Sequence, residues 1–245
     1  MLRRWIRGAS ARIGIPLPFP GVICVHGRQA VSLDGEGRAD IRFTKWLVFL
    51  EQPAPGDLHD VYSLGTGGPT SALIYTSPDA REISREETNR GRQMVCWFPR
   101  EPVVLNALYE HQYGWQPSTT FTDSAVCIEY DCSIKTGVFT IELDAPTKFD
   151  TAVLFERPRW PLRLTERHII RTALRRLHDA DAASSVSVEG SRVVSELRGP
   201  RTGKRYVLVA FRTFGVADCE QWLMRTSRLH RWQRAVSGWS EALTG

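Results

Sequence analysis

Short apolar segments separated by turn residues fill the sequence from residue 21 to residue 155. The clearest is Trp46-Leu47-Val48-Phe49-Leu50, a continuous apolar run of the kind found in strands that are buried on both faces. Apolar and polar residues alternate regularly from 137 to 143, as in a strand with one face in the core. Many short strands of this kind predict a sandwich or a curled sheet. Further strands are predicted at 21–28, 30–33, 59–64, 71–76, 92–98, 102–109 and 124–131, and a loop or short exposed helix at 78–91.

The pattern changes after residue 155, where Pro158 and Pro161 mark a connection rather than the interior of an element. Thr165 is a suitable N-cap for an amphipathic helix that runs to residue 179, with its apolar residues at helical spacing. Three strands and a long closing helix follow. We therefore predict an α+β fold, with a β-rich, mostly antiparallel, sandwich-like N-terminal part and a smaller α-β-β-β-α C-terminal part. The predicted C-terminal elements are the helix 165–179, strands at 185–189, 192–198 and 206–211, and the helix 217–243.

The chain divides into a basic N-terminal segment at 1–20, a β-rich domain at 21–155 and a basic α+β domain at 156–245. Packing of the last two as one domain is left open. The first segment is rich in arginine and free of acids, and we interpret it as a docked helix. A transit peptide, or contact of residues 1–12 with a membrane surface, are the alternatives.

Cysteine usage and hydropathy predict a cytoplasmic protein without a membrane span. The chain has five cysteines, an odd number, and they are widely spaced. This is not the pattern of a disulfide framework. No apolar run approaches the ~20 residues that cross a bilayer as a helix. The composition, 42% hydrophobic and 24% charged, is that of a folded globular chain.

Positive charge is concentrated in the second part of the chain. Residues 151–245 carry 17 Lys/Arg against 9 Asp/Glu, whereas residues 1–150 carry 15 against 18. Clustered arginines are typical of contacts with phosphate groups in nucleic acid, nucleotides or anionic lipid, but solvated helix faces have the same pattern. The candidate phosphate-binding residues are Arg163, Arg167, Arg171 and Arg175 on the first C-terminal helix, and Arg198, Arg201, Lys204 and Arg205 on a later turn.

Two aromatic segments are candidates for binding a protein partner or a second copy of the chain. The closing helix carries an apolar stripe at heptad spacing, and tryptophan is enriched at interface hot spots. The segment 109–115 combines polar and aromatic residues and is predicted to be a loop, where Tyr and Trp give contact area at low entropic cost. The candidate residues are Trp222, Leu229, Trp232, Val236 and Trp239 on the helix, and Tyr109, Tyr113 and Trp115 in the loop.

No established catalytic or metal-binding motif is present, and no cofactor or metal is predicted. Cys24 and His26 are two residues apart, so on a regular strand they share a face and form half of a zinc site or a thiol–imidazole dyad. Glu110 and His111 are a candidate acid and base, although adjacent residues of an extended chain point apart. Cys127 and Cys132 are five apart and are expected on opposite faces of a strand.

Three functions follow, in this order. The first is a non-enzymatic recognition or assembly module that binds a protein partner or subunit. The second is a protein that binds nucleic acid or another phosphate ligand through its basic C-terminal part. The third is an enzyme of the hydrolase type, built on Cys24 and His26 or on Glu110 and His111. The first leads because motifs specific to a chemistry are absent.

Overall fold

The computed structural model describes most of the chain between residues 20 and 225. The N-terminal segment 1–19 and residues 226–245, with most of the predicted closing helix, lie outside the described residues. The ranges described are 20–54, 57–63, 74–75, 80–88, 92–115, 124–158, 166–178 and 186–225.

The described residues form strands and two helices. The first ten strands are β1 (Val22–Leu33), β2 (Ala39–Phe49), β3 (Leu58–Ser63), β4 (Ile74–Tyr75), β5 (Ala80–Thr88), β6 (Arg92–Pro99), β7 (Leu108–Trp115), β8 (Ala125–Asp131), β9 (Lys135–Asp144) and β10 (Phe149–Pro158). They are followed by α1 (Glu166–His178), β11 (Val186–Glu189), β12 (Arg192–Arg198), β13 (Lys204–Arg212) and α2 (215–225).

The strands form one large sheet and two small ones. The large sheet has the order β11-β12-β9-β1-β2-β7-β4, and β10-β13-β8 and β3-β6-β5 form the small sheets. β1 and β9 are parallel, and the other pairs are antiparallel. The fold is therefore strand-rich, mostly antiparallel and α+β, as the sequence predicts.

Three hydrophobic clusters hold the sheets and the helices together. One face of the large sheet packs against β10-β13-β8 around residues such as Phe139, Ile141 and Leu208. The helices α1 and α2 cover the opposite face of β10-β13-β8. The sheet β3-β6-β5 packs through Trp97 onto one end of the large sheet, beside Leu47. The two contacts that involve the large sheet use the same face of it, which we call its inner face.

Close packing at the centre explains a glycine in β1. A Cβ atom built on Gly27 lies 2.5 Å from Cδ2 of Phe139. The Phe139 ring is fully buried and stacks on Tyr130 with ring centroids 3.4 Å apart. Since the ring has no room to move, only glycine fits at position 27.

Two local predictions are wrong. Residues 80–88, within the predicted loop or helix at 78–91, form strand β5 at the edge of a small sheet. The strand predicted at 102–109 is instead a turn that ends at β7, because Asn106 has a positive φ of 62° and the Ala107 amide donates to the Val104 carbonyl. Strand β10 was not predicted and passes through the proposed boundary at residue 156.

The described elements of the C-terminal part are the predicted first helix, the three predicted strands and the start of the predicted closing helix. The strands join sheets that begin earlier in the chain. α1 follows the predicted helix within one residue at each end. β12 pairs with β9, and β13 lies between β8 and β10. No helix in the described part of the chain is long and apolar enough to cross a membrane.

Candidate functional site

The second face of the large sheet, its outer face, is the main candidate surface. Among the described residues, none of the three hydrophobic clusters includes an outer-face side chain. The strand registers align these side chains in rows across β12, β9, β1, β2 and β7. Each row is written across the sheet, starting from β12 or β9 and moving towards β7. The first two rows are Lys135-Ile23-Val48-Leu108 and Arg198-Val138-His26-Trp46-Glu110. The next three, in order along the strands, are Glu196-Thr140-Arg28-Thr44-Gln112, Val194-Glu142-Ala30-Arg42-Gly114 and Arg192-Asp144-Ser32-Asp40.

The first row forms an apolar patch in which Ile23 and Val48 are half-buried and Leu108 is exposed. Ile23, Val48 and Leu108 are neighbours on three adjacent strands, and Leu108 is 63% exposed. Val25, which bulges out of β1 beside them, is 48% exposed. Leu50 follows directly on β2 and is also 48% exposed. Contiguous exposed apolar side chains of this kind mark interaction sites more often than scattered ones.

An aromatic pair lies next to this row. The rings of His26 and Trp46 stack with centroids 5.1 Å apart and an interplanar angle of 21°. His26 Nε2 also lies 3.1 Å from the Thr140 hydroxyl on β9. The hydrogen bond and the stacking together fix the imidazole, so the pair presents a rigid, half-buried aromatic surface.

Charged residues occupy the far rows, where opposite charges pair. Glu142 accepts hydrogen bonds from Arg28 at 2.8 Å and Arg192 at 3.1 Å. The hydrogen bond from Arg28 holds the pKa of Glu142 below its ordinary value, against the partial burial that would raise it. The outer face is therefore apolar at one end and a paired mixture of charges at the other.

The structure does not bring Cys24 and His26 together. Cys24 pairs with Leu47 and points into the core, whereas His26 pairs with Trp46 and points outward. The register shifts between them at Val25, so the same-face rule for residues two apart fails. Burial also raises the pKa of the Cys24 thiol to about 11, which disfavours the nucleophilic thiolate.

Glu110 and His111 are separated as well. Glu110 is exposed on the outer face, while His111 is fully buried on the inner face and stacks on Trp97 with centroids 3.7 Å apart. Cys127 and Cys132 point to opposite sides of the small sheet, as predicted, since they belong to different clusters. Within the described ranges, no group of three or more His, Cys, Asp or Glu side chains is arranged to hold a metal ion.

Several of the candidate phosphate-binding residues are engaged with carboxylates. Arg201 Nε lies 3.0 Å and Lys204 Nζ 3.3 Å from the Glu156 carboxylate. Arg205 binds Asp131 and Glu129, and Arg198 binds Glu196. On α1, Arg171 and Arg175 are exposed and Arg167 is half-buried, whereas Arg163 lies outside the described residues.

The aromatic candidates are placed very differently from one another. Residues 109–115 belong to strand β7 and not to a loop, so that prediction is wrong. Tyr113 and Trp115 point inward and are 4% and 6% exposed, and Tyr109 packs on Phe49 and Trp97. These side chains are therefore not available at the surface. Trp222 on α2 is 39% exposed, while Leu229, Trp232, Val236 and Trp239 lie outside the described residues.

The outer face is a candidate site that the sequence alone does not predict. The residues that form it come from strands far apart in the sequence, and only the registers bring them into rows. One signal of the outer face is present in the sequence. Trp46, a bulky aromatic residue, occupies one of the alternate positions of β2 that point away from the core.

No protein-family model matches the sequence, and no curated protein matches it. Distant solved structures do resemble the fold. An M1 zinc metallopeptidase from Deinococcus radiodurans has 9% identity and a TM-score of 0.39, over 82% of this chain and 45% of that one. Native leukotriene A4 hydrolase from Saccharomyces cerevisiae has 11% identity and a TM-score of 0.36, over 77% of this chain and 29% of that one.

This chain spans less than half the length of either structure. At this level of similarity the comparison transfers no activity and no active-site residue to this chain.

Proposed function

We propose that the chain is a non-enzymatic recognition module that binds protein through the outer face of its large sheet, and that its partner is a second copy of the same chain. The observation that carries the proposal is the apolar row formed by the half-buried Ile23 and Val48 and the exposed Leu108, next to the His26–Trp46 stack. A rigid aromatic pair beside exposed aliphatic groups has the composition of an interface centre.

The apolar patch alone is too small for a stable interface. Full burial of one aliphatic side chain contributes ~1.5–3 kcal/mol, so covering the half-exposed Val25, Leu50 and Leu108 gives roughly 3 kcal/mol for each copy and roughly 6 kcal/mol for the pair. Association costs ~4–15 kcal/mol in lost freedom of motion, so the patch leaves at most ~2 kcal/mol in favour of binding. The charged rows must therefore take part. From strand spacing and rise, the five-strand face measures roughly 500 Å² in projection, comparable with the ~800 Å² of accessible surface that each partner buries in a standard interface.

The face is suited to pairing with itself. A two-fold axis parallel to the strands, between β1 and β2, would set Ile23 opposite Val48 and His26 opposite Trp46 of the second copy. The same operation brings Lys135 close to Glu110 of the second copy, and Glu142 close to its Arg42. No charged residue then lies directly opposite one of like sign, but Asp144 lies as close to Asp40 of the second copy as Glu142 does to its Arg42. The central apolar and aromatic rows, and not the charges, therefore favour the isologous pairing.

Sedimentation velocity over a concentration series tests the proposal. We expect the wild-type chain to self-associate and Leu108→Asp to remain monomeric, because a carboxylate would be buried in the apolar row. Met224→Asp is the matched control, since Met224 is 57% exposed but lies on α2, which packs on a different sheet. A wild-type chain that stays monomeric, or equal behaviour of the two variants, would refute the second copy as partner.

The hydrolase alternative is the second candidate, and it corresponds to the names of the distant solved structures. Neither candidate dyad is assembled in the described part of the chain, so an active site would need residues beyond those discussed above. Release of a fluorophore from aminoacyl and peptidyl amides, with and without Zn²⁺, tests this. Turnover by the purified chain that persists in Leu108→Asp would establish hydrolysis and separate it from self-association.

A further inference from the structure

Helix α1 carries a cationic stripe on the side that faces away from the protein. His168, Arg171, Arg175 and His178 follow each other at intervals of three or four residues and are all exposed. At 3.6 residues per turn, such intervals place these side chains on one side of the helix. We call these four residues the α1 stripe.

The opposite side of α1 is fully used in packing. Ile169, Ile170, Ala173 and Leu174 are buried against β10-β13-β8. This packing holds the helix in one orientation, so the α1 stripe is presented to solvent by a rigid element. A site on a helix fixed in this way keeps its geometry better than a site on a loop.

The two arginines of the stripe differ from the other candidate cations. Arg198, Arg201, Lys204 and Arg205 are each bound to a carboxylate. Among the residues that the structure describes, neither Arg171 nor Arg175 has a carboxylate within ion-pair distance. At the C-terminal end of the stripe, His178 Nε2 lies 3.6 Å from the Glu220 carboxylate on α2.

We propose that the α1 stripe binds the phosphate backbone of a nucleic acid. The guanidinium group presents a planar fork of donors that matches phosphate oxygens. With a rise of 1.5 Å per residue, Arg171 and Arg175 are ~6 Å apart along the helix and the stripe is ~15 Å long, enough to follow several successive phosphates.

The packing of α1 favours nucleic acid over a membrane surface. A helix that lies on a membrane inserts its apolar side into the lipid. In α1 that side is already buried in the protein, so the exposed side offers charge without apolar groups. An electrostatic ligand with regularly spaced phosphates fits this surface better than a lipid bilayer.

Fluorescence anisotropy with a labelled oligothymidine, over a salt series from about 50 to 200 mM, tests the proposal. The test variant is the double substitution Arg171→Gln with Arg175→Gln. The control is Arg38→Gln with Arg100→Gln, which removes the same charge from exposed positions in the first half of the chain. Circular dichroism checks that both variants fold.

We expect the wild type to bind with an affinity that falls steeply with salt. Each phosphate contact contributes ~0.7 to the slope of log affinity against log salt, so the stripe variant should lose ~1.4 of that slope and the control none. Absence of binding at the lowest salt, or an equal loss in the control, overturns the proposal. It is also overturned if the stripe variant loses binding to phosphatidylserine vesicles but keeps the wild-type slope for oligothymidine.

Discussion

Removal of Arg205 should destabilise the protein strongly, because this residue is the centre of a buried ion-pair network. Arg205 lies on β13 between Arg157 on β10 and Asp131 on β8. Its Nη2 donates to Asp131 at 2.7 Å and its Nη1 to Glu129 at 2.7 Å. Arg157 donates to the second oxygen of Glu129 at 2.5 Å. Two cations and two anions thus neutralise each other on the small sheet.

The expected magnitude follows from burial. Arg205 has 10% of its side chain exposed, and Asp131 and Glu129 have 20% and 27%. Removing one partner of a buried pair costs ~3–5 kcal/mol because it leaves charge uncompensated. Since both carboxylates retain some contact with water, we expect about 3 kcal/mol for Arg205→Met, a substitution that keeps an apolar stem in place.

Urea unfolding followed by circular dichroism measures this loss, with unchanged m-values as the check that two-state behaviour is kept. Arg198→Met is the control, because Arg198 and its partner Glu196 are 86% and 47% exposed and such surface pairs contribute little to stability. The additional change Asp131→Asn should recover part of the stability. A loss no larger than that of the control, or no recovery in the double variant, would refute the uncompensated-charge argument.

Two further predictions concern the large sheet. Because the pKa of Glu142 is lowered in the folded state, its ionised form stabilises the protein above its ordinary pKa of about 4.5, and this contribution is lost as the pH falls through the folded value. Glu142→Gln should therefore flatten the dependence of the unfolding free energy on pH below about 4.5, measured by urea titration, and an unchanged curve would contradict this. Gly27→Ala should destabilise by ~1–3 kcal/mol because the new methyl group meets the immobile Phe139 ring. Gly35→Ala, where a Cβ meets nothing within 4 Å, is the control, and equal melting temperatures for the two variants would rule out the clash.

Periodicity in the sequence predicts those elements whose two faces differ in environment. α1 is predictable because Ile170 and Leu174 face a sheet while Arg171 and Arg175 face water. Strand β5 is polar apart from Ala80 and Ile83 and shows little such contrast, since it lies at the edge of a small sheet where charged residues are tolerated. Its sequence therefore resembles a loop.

Strand β7 shows how composition can obscure a periodic signal. Its aromatic and polar residues are typical of a binding loop, yet Tyr109, His111, Tyr113 and Trp115 fall at alternate positions and all point inward. The alternation was the stronger indication of structure. The wrong prediction came from giving residue type more weight than spacing.

Cys24 and His26 point to opposite faces because of Val25, the residue between them, which bulges out of β1. Only the strand register shows this bulge. Val25 is skipped in the register with β2, and Gly137 on β9 is skipped beside it. A Cβ on Gly137 would lie 2.7 Å from the Val25 carbonyl oxygen, so the close approach of the two strands requires glycine there. A glycine inside a predicted strand is the sequence signal of such a bulge. The bulge turns Cys24 into the core and His26 outward, and this separates the predicted dyad. The same bulge places His26 against Trp46, at the centre of the proposed interface.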